Sequence, residues 1–181
     1  MSTSAMDFEK VSVRAPKPAK QPGAIRVQSE SIKDGQKIDM EFVFTGCGGR
    51  NRSPQLSWSG APAGTKSFAI TCFDPVAPTG CGYWHWLAFN IPASVTSLEA
   101  GASTDKPPAG GTCGFNDFSA ASYCGPCPPK GDIPHRYIFT VYALDVERLE
   151  GIGEQTTGAT VVFNMAGHVL ASGSLTGLFN H

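Results

Sequence analysis

The sequence contains no run of about 18 apolar residues, so it offers no membrane-spanning helix. Charge is also scarce. Asp, Glu, Lys and Arg make up 16% of the 181 residues, and the formal net charge is −1. Arg50 and Arg52 form only a small local excess, which argues against nucleic acid as a partner, because phosphate neutralisation needs a clustered basic face. There is no Gly-x-Ser-x-Gly nucleophile elbow. There is no His-x-x-x-His pair and no Cys-x-x-Cys followed by a second such pair, so no short-range metal motif is present and no cofactor is implied. No internal repeat occurs. The first residues lack the apolar stretch of a secretory signal. The expectation is therefore a cytoplasmic protein. Its six cysteines (Cys47, Cys72, Cys81, Cys113, Cys124 and Cys127) are expected as reduced thiols rather than a disulfide framework.

The length fits one domain with a tail. Residues 1–24 read as a flexible Pro/Lys-containing tail, since Pro16, Lys17, Pro18 and Lys20 can neither bury much nor build a helix. Asp7 and Glu9 dilute its charge too far for a lipid-contact arm. Residues 25–181 read as a single, mainly β domain. Stretches 25–29 and 38–44 alternate apolar and polar positions, while 67–73, 84–90 and 137–144 look like buried strands rich in β-branched and aromatic residues. Gly and Pro punctuate the gaps, as in an antiparallel sheet or sandwich. Residues 160–170 predict a short helix with Val161, Met165 and His168 on one face, so that His168 packs inward. Residues 171–179 predict a closing strand.

Tunable chemistry is concentrated in a few places. Asp74 ends a strand-like run, and Pro75 biases it away from helix, so its carboxylate leaves the strand end in a defined direction. Strand periodicity puts Tyr83, His85 and Leu87 on one face, with Trp84, Trp86 and Ala88 on the other. His135 opens a second strand, with Tyr137 on its face and Arg136 pointing away. Taken singly, each has an ordinary explanation: an Asp-Pro turn, or a hydrogen-bonded core histidine. If the strands are neighbours, Asp74, His85, His135 and Tyr137 converge. Such a group suits a phosphate or carboxylate, because protonated histidines donate from both nitrogens and a carboxylate orients them. Two histidines and a carboxylate also match a metal site, which ranks lower. Cys124-Gly125-Pro126-Cys127 has the spelling of a dithiol redox motif, but two prolines and a glycine follow where a helix is needed, so a rigid pocket-lining loop is the better reading. Asn116, Asp117 and Phe118 read as a turn.

Several ordered motifs together carry a resemblance. They are Gly49, Asn51, Ser53, Pro54, Leu56, Trp58, Ser59 and Gly60; Asp74-Pro75-Val76-Ala77-Pro78; His85-Trp86; Asn90-Ile91-Pro92; Asn116-Asp117-Phe118; Gly125-Pro126-Cys127-Pro128-Pro129; and Pro134-His135-Arg136-Tyr137. In this order, from about residue 25 to the end, the chain resembles the phosphatidylethanolamine-binding protein family and its bacterial Raf-kinase-inhibitor-like branch. The resemblance implies a central antiparallel sheet with a few peripheral short helices. It also implies a small surface cavity for phosphate-like anions built from Asp74, His85, His135 and Tyr137, with Gly125, Pro126, Cys127 and Pro128 at its rim. Tyr83 joins that set by its place beside His85. The branch's members tend to dimerise, so a homodimer is expected. One departure stands out: where the family usually has a second Asp, this chain has Val76, which makes the rim less acidic and more apolar. Cys81, Cys113 and Cys124 are less typical of the family than Cys47 and Cys127.

Two functions follow. The first is a binding protein for an anionic head group, phospho-ligand or other small molecule. The second is an enzyme using Asp74, His85 and His135 for acid–base work of the isomerase or cyclase type on a less polar substrate. Dithiol redox activity ranks third.

Overall fold

A computed structural model describes residues 23–104, 107–108 and 110–181. Most of the sequence-predicted tail lies outside these residues, but its last two pair as strand β1 (Gly23–Ala24). The other strands are β2 (Arg26–Gln28), β3 (Leu56–Ser59), β4 (Ser67–Asp74), β5 (Tyr83–Pro92), β6 (Ser97–Leu98), β7 (Thr112–Cys113), β8 (His135–Leu144) and β9 (Val169–Phe179). A 3-10 turn at Thr45–Cys47 and helix α1 (Gly158–Met165) complete the elements. The main sheet runs β1-β9-β8-β4-β5-β7, antiparallel except that β1 lies parallel to β9, and a small sheet runs β2-β3-β6.

Alternation along β4 and β8 explains the layers. Phe68, Ile70 and Cys72 of β4 and Tyr137, Phe139 and Val141 of β8 all face one side, where Leu56, Trp58 and Leu98 of the small sheet cover them. Ala69, Leu87, Phe89 and Leu144 face the other side, against Val161 and Met165 of α1. Each large side chain buried this way stabilises the fold by about 1.5–3 kcal/mol relative to exposure.

Three sequence expectations need correction. Residues 38–44 are not a strand. Asp39 turns the chain there by accepting the Glu41 amide at its carboxylate and the Phe42 amide at its carbonyl, while Ile38, Phe42 and Val43 still reach the core. The helix ends at Met165, and Val169 and Leu170 already belong to β9. His168 therefore sits beyond the helix, nearly half exposed, with its Nδ1 2.8 Å from Asp145 Oδ1, and is not a core residue.

The third correction shapes the site. Phe73 pairs with Trp84 but Cys72 pairs with Trp86, so β5 carries one extra residue, His85, opposite β4. Such a bulge turns two successive side chains to one side. Tyr83, His85, Trp86 and Ala88 consequently face the small-sheet side, while Trp84, Leu87 and Phe89 face α1, in place of the strict alternation expected. A second irregularity falls at Asn90, whose φ of 58° an asparagine tolerates better than most residues and whose Oδ1 accepts the Leu149 amide at 2.8 Å.

Candidate functional site

The end of β4 and the beginnings of β5 and β8 meet at one edge of the main sheet, since β4 is hydrogen-bonded to both neighbours. Asp74, Tyr83, His85, His135 and Tyr137 project there and wall a cavity of ≈ 170 Å³. Loop residues close it: Cys127, Pro128, Pro129, Phe118 and residues 77–79.

Asp74 and His135 are the most tightly coupled pair in this cavity. Asp74 Oδ2 accepts from His135 Nδ1 at 2.6 Å, both side chains being almost fully buried, while Asp74 Oδ1 accepts the Val76 amide at 2.9 Å. The second ring nitrogen of His135, Nε2, lies 3.2 Å from Asp132 Oδ2. Burial alone pulls the His135 pKa down, but the hydrogen bonds and charges of Asp74 and Asp132 outweigh it and raise the pKa above that of an ordinary histidine. The ring lies between two carboxylates, which favour its protonated form. In return, the hydrogen bond from His135 keeps the Asp132 carboxyl below its usual range.

His85 behaves oppositely. Burial lowers its pKa, against smaller opposing effects from backbone carbonyls and from Asp74 and Asp117. Its Nδ1–H donates to the Cys124 carbonyl at 2.8 Å and also lies 3.2 Å from the Gly125 carbonyl. That fixes the tautomer and leaves Nε2 as the free nitrogen of a neutral ring. The ring meets Tyr137 nearly edge-on, at 5.0 Å between centroids. Tyr137 is fully buried, and its hydroxyl has no well-formed hydrogen bond, although Asp74 and the Cys127 backbone are near it. Burial, and then the charge of Asp74, push its pKa upward.

Of the sequence-predicted residues, Asp74, Tyr83, His85, His135, Tyr137, Cys127 and Pro128 line the cavity. Gly125 and Pro126 stand behind it. The Gly125 amide donates to Asn51 Oδ1 at 2.7 Å, and the Pro126 carbonyl accepts the Phe44 amide at 3.0 Å. A Cβ at Gly125 would run into the Phe42 carbonyl and the Phe44 amide, which is why a glycine sits there. Asp117 caps β5 through the Trp84 amide at 2.7 Å and does not line the cavity; its neighbour Phe118 does. Asp132 was not singled out from the sequence. Its only signal was a carboxylate three residues before His135.

The thiol expectation fails for one pair. Cys47 and Cys127 form a disulfide, with Cα atoms 5.5 Å apart across a separation of 80 residues. The contact between Phe44 and Pro126 docks the 3-10 turn on the 124–129 loop and brings the two together. Cys72, Cys81, Cys113 and Cys124 are free. Cys124 and Cys127 are therefore not bonded to each other, and no helix follows them, so the dithiol reading loses its structural basis. Among the described residues, no helix is long and apolar enough to cross a membrane.

Comparison with known proteins gives the chain a set of relatives. Residues 28–180 match the family model described as phosphatidylethanolamine-binding protein. The chain is 46% identical over 160 residues to the UPF0098 protein YbhB of Escherichia coli, covering 86% of this chain and all of that one. It is 44% identical over 164 residues to E. coli YbcL, covering 88% and 89%. The crystal structure of YbcL, described as a new member of the mammalian PEBP family, superposes with a TM-score of 0.83 over 88% of this chain and 99% of that one. A structure from Chlamydia trachomatis, described as a putative PEBP homologue, is 31% identical, with a TM-score of 0.74 over 87% and 98%.

Proposed function

Because the chain belongs to the phosphatidylethanolamine-binding protein family, we propose that it is a binding protein whose cavity takes the phosphate of a small ligand. The observation that carries this reading is the buried Tyr137 hydroxyl, without a well-formed partner, beside the free Nε2 of His85. A buried hydroxyl left unpaired costs roughly 1–3 kcal/mol, which a ligand oxygen recovers. Tyr137 donates to that oxygen. His85 takes a proton as the anion enters and donates from Nε2. His135 supplies fixed positive charge, and Asp74 orients it.

The charge balance narrows the ligand class. Two carboxylates on one imidazolium leave a residual negative charge. That disfavours a bare phosphate dianion and favours a phosphate monoester bearing an ammonium group, such as phosphoethanolamine. In a histidine NMR titration, phosphoethanolamine should shift His85 and His135 together and more strongly than inorganic phosphate does, while His168 and His181 stay still. If neither His85 nor His135 moves, the reading is wrong.

One observation favours the enzymatic alternative. A buried, neutral His85 with Nε2 open to the cavity is suited to act as a general base. Turnover of a small apolar substrate that disappears in His85→Gln, with no response to phosphoethanolamine, would decide for it.

A further inference from the structure

We propose that the Cys47–Cys127 disulfide is a thiol-exchange site: a small monothiol entering the cavity attacks Cys127 and remains there as a mixed disulfide that plugs the cavity.

The two sulfurs differ in access. Cys127 is part of the cavity wall, whereas Cys47, the last residue of the 3-10 turn, is buried at 7% exposure. A thiolate must approach a disulfide in line with the S–S bond, on the side away from the leaving sulfur. Of the two cysteines only Cys127 lines the cavity, so a thiol entering there meets Cys127 and Cys47 is the leaving group.

Cys47 is also the sulfur with a proton source. His181 Nδ1 lies 3.5 Å from Cys47 Sγ, where an imidazole can protonate a departing thiolate. A better-stabilised leaving sulfur leaves faster. The step balances. The monothiol gives up its proton and bonds to the Cys127 sulfur, the Cys47–Cys127 bond breaks, and Cys47 takes up a proton. One disulfide is consumed and one is formed, with no net oxidation.

The released Cys47 thiol can re-attack Cys127 and expel the monothiol, so the adduct persists only while the monothiol is in excess. The other thiols do not intercept it from within the fold. Cys72, Cys113 and Cys124 are buried, and burial pushes their pKa values upward, so little thiolate is available. Cys81 is exposed and is removed in the test. Because the cavity measures only ≈ 170 Å³, an adduct on its wall fills much of it.

The test uses the oxidised full chain carrying Cys81→Ser, treated with an excess of cysteamine and quenched in acid at a series of early times. Peptide mass mapping should find cysteamine on Cys127 and a free thiol at Cys47. The exchange should slow several-fold in His181→Ala. The adduct should also shift the His85 ring resonance, because it occupies the space that His85 faces. Three results would overturn the proposal. They are an adduct on Cys47, a disulfide that does not exchange in the folded protein although it does in denaturant, and an adduct on Cys127 that leaves the His85 resonance unmoved. None of these readouts uses the phosphate ligand, so failure of the ligand assignment and failure of the exchange are distinguishable.

Discussion

Asp74 and His135 are 61 residues apart in sequence and meet at 2.6 Å inside the protein, each nearly sealed from solvent. Removing one member of such a buried pair typically costs about 3–5 kcal/mol, because the other charge is left uncompensated. Asp74→Asn should therefore lower the midpoint of guanidinium unfolding and move the His135 titration to lower pH.

The two cavity histidines have pKa values displaced in opposite directions, and this gives stability a dome in pH. His135 is raised, so its contribution is complete below the unfolded histidine pKa of about 6.5 and is lost as pH climbs through its folded value. His85 is lowered, so the unfolded chain binds more protons below about pH 6.5, and stability falls as pH drops toward the folded value. Urea melts across pH should peak near the ordinary histidine range. His85→Gln should flatten the acid side of that peak, and Asp74→Asn the alkaline side.

Tyr137→Phe separates binding from folding. The hydroxyl has no well-formed protein partner to lose, so thermal stability should hold or rise by about 1 kcal/mol. Affinity for phosphoethanolamine should fall roughly 10- to 100-fold, the equivalent of a hydrogen bond of about 1.5–3 kcal/mol to a charged group. Calorimetry on Tyr137→Phe and the parent reads both quantities. Unchanged affinity would remove Tyr137 from the binding site.

The disulfide closes a loop across 80 residues of chain. Replacing both Cys47 and Cys127 by Ser should cost roughly 2–5 kcal/mol, mostly by freeing the unfolded chain. Chemical denaturation of the double variant, compared with the parent under oxidising conditions, measures this. A change below about 0.5 kcal/mol would mean that the 124–129 loop is held by its backbone hydrogen bonds alone.

Gly158 sets helix propensity against packing. Alanine is favoured over glycine by about 1 kcal/mol within a helix. At this position, however, its Cβ would press into the Trp84 ring, which packs beside Leu87 and Phe89. Overpacking of that kind costs about 1–3 kcal/mol, so Gly158→Ala should be destabilising overall. Gly167→Ala, where a Cβ meets nothing within 4 Å, is the control and should be neutral or better.

What the sequence made readable follows from how local the governing physics is. β4 was legible because both of its faces are buried, and β8 because one face is buried and most of the other half-covered, so β-branched and aromatic residues dominate both strands. The convergence of Asp74, His85, His135 and Tyr137 was readable only on the condition that their strands are neighbours, which the motif order supported and the register of β5-β4-β8 supplies. Residues 38–44 misled because their apolar spacing serves a turn that drops Ile38, Phe42 and Val43 into the core without pairing in a sheet. The disulfide was out of reach because it depends on a long-range docking of two loops. Asp132 escaped notice because an exposed loop carboxylate looks like any other until the ring of His135 is in place.

The extra residue in β5 works as a phase shifter. Upstream of it, the strand shows its cavity-facing side chains on the same side on which, downstream, it shows Trp86 and Ala88 to the interior. Deleting His85 itself would restore plain alternation, leaving Tyr83 on the cavity side and Trp84 toward α1, but would take the imidazole away. A single insertion thus lets one strand serve packing along most of its length and recognition at its tip, so the tip can change character while the interior stays as it is.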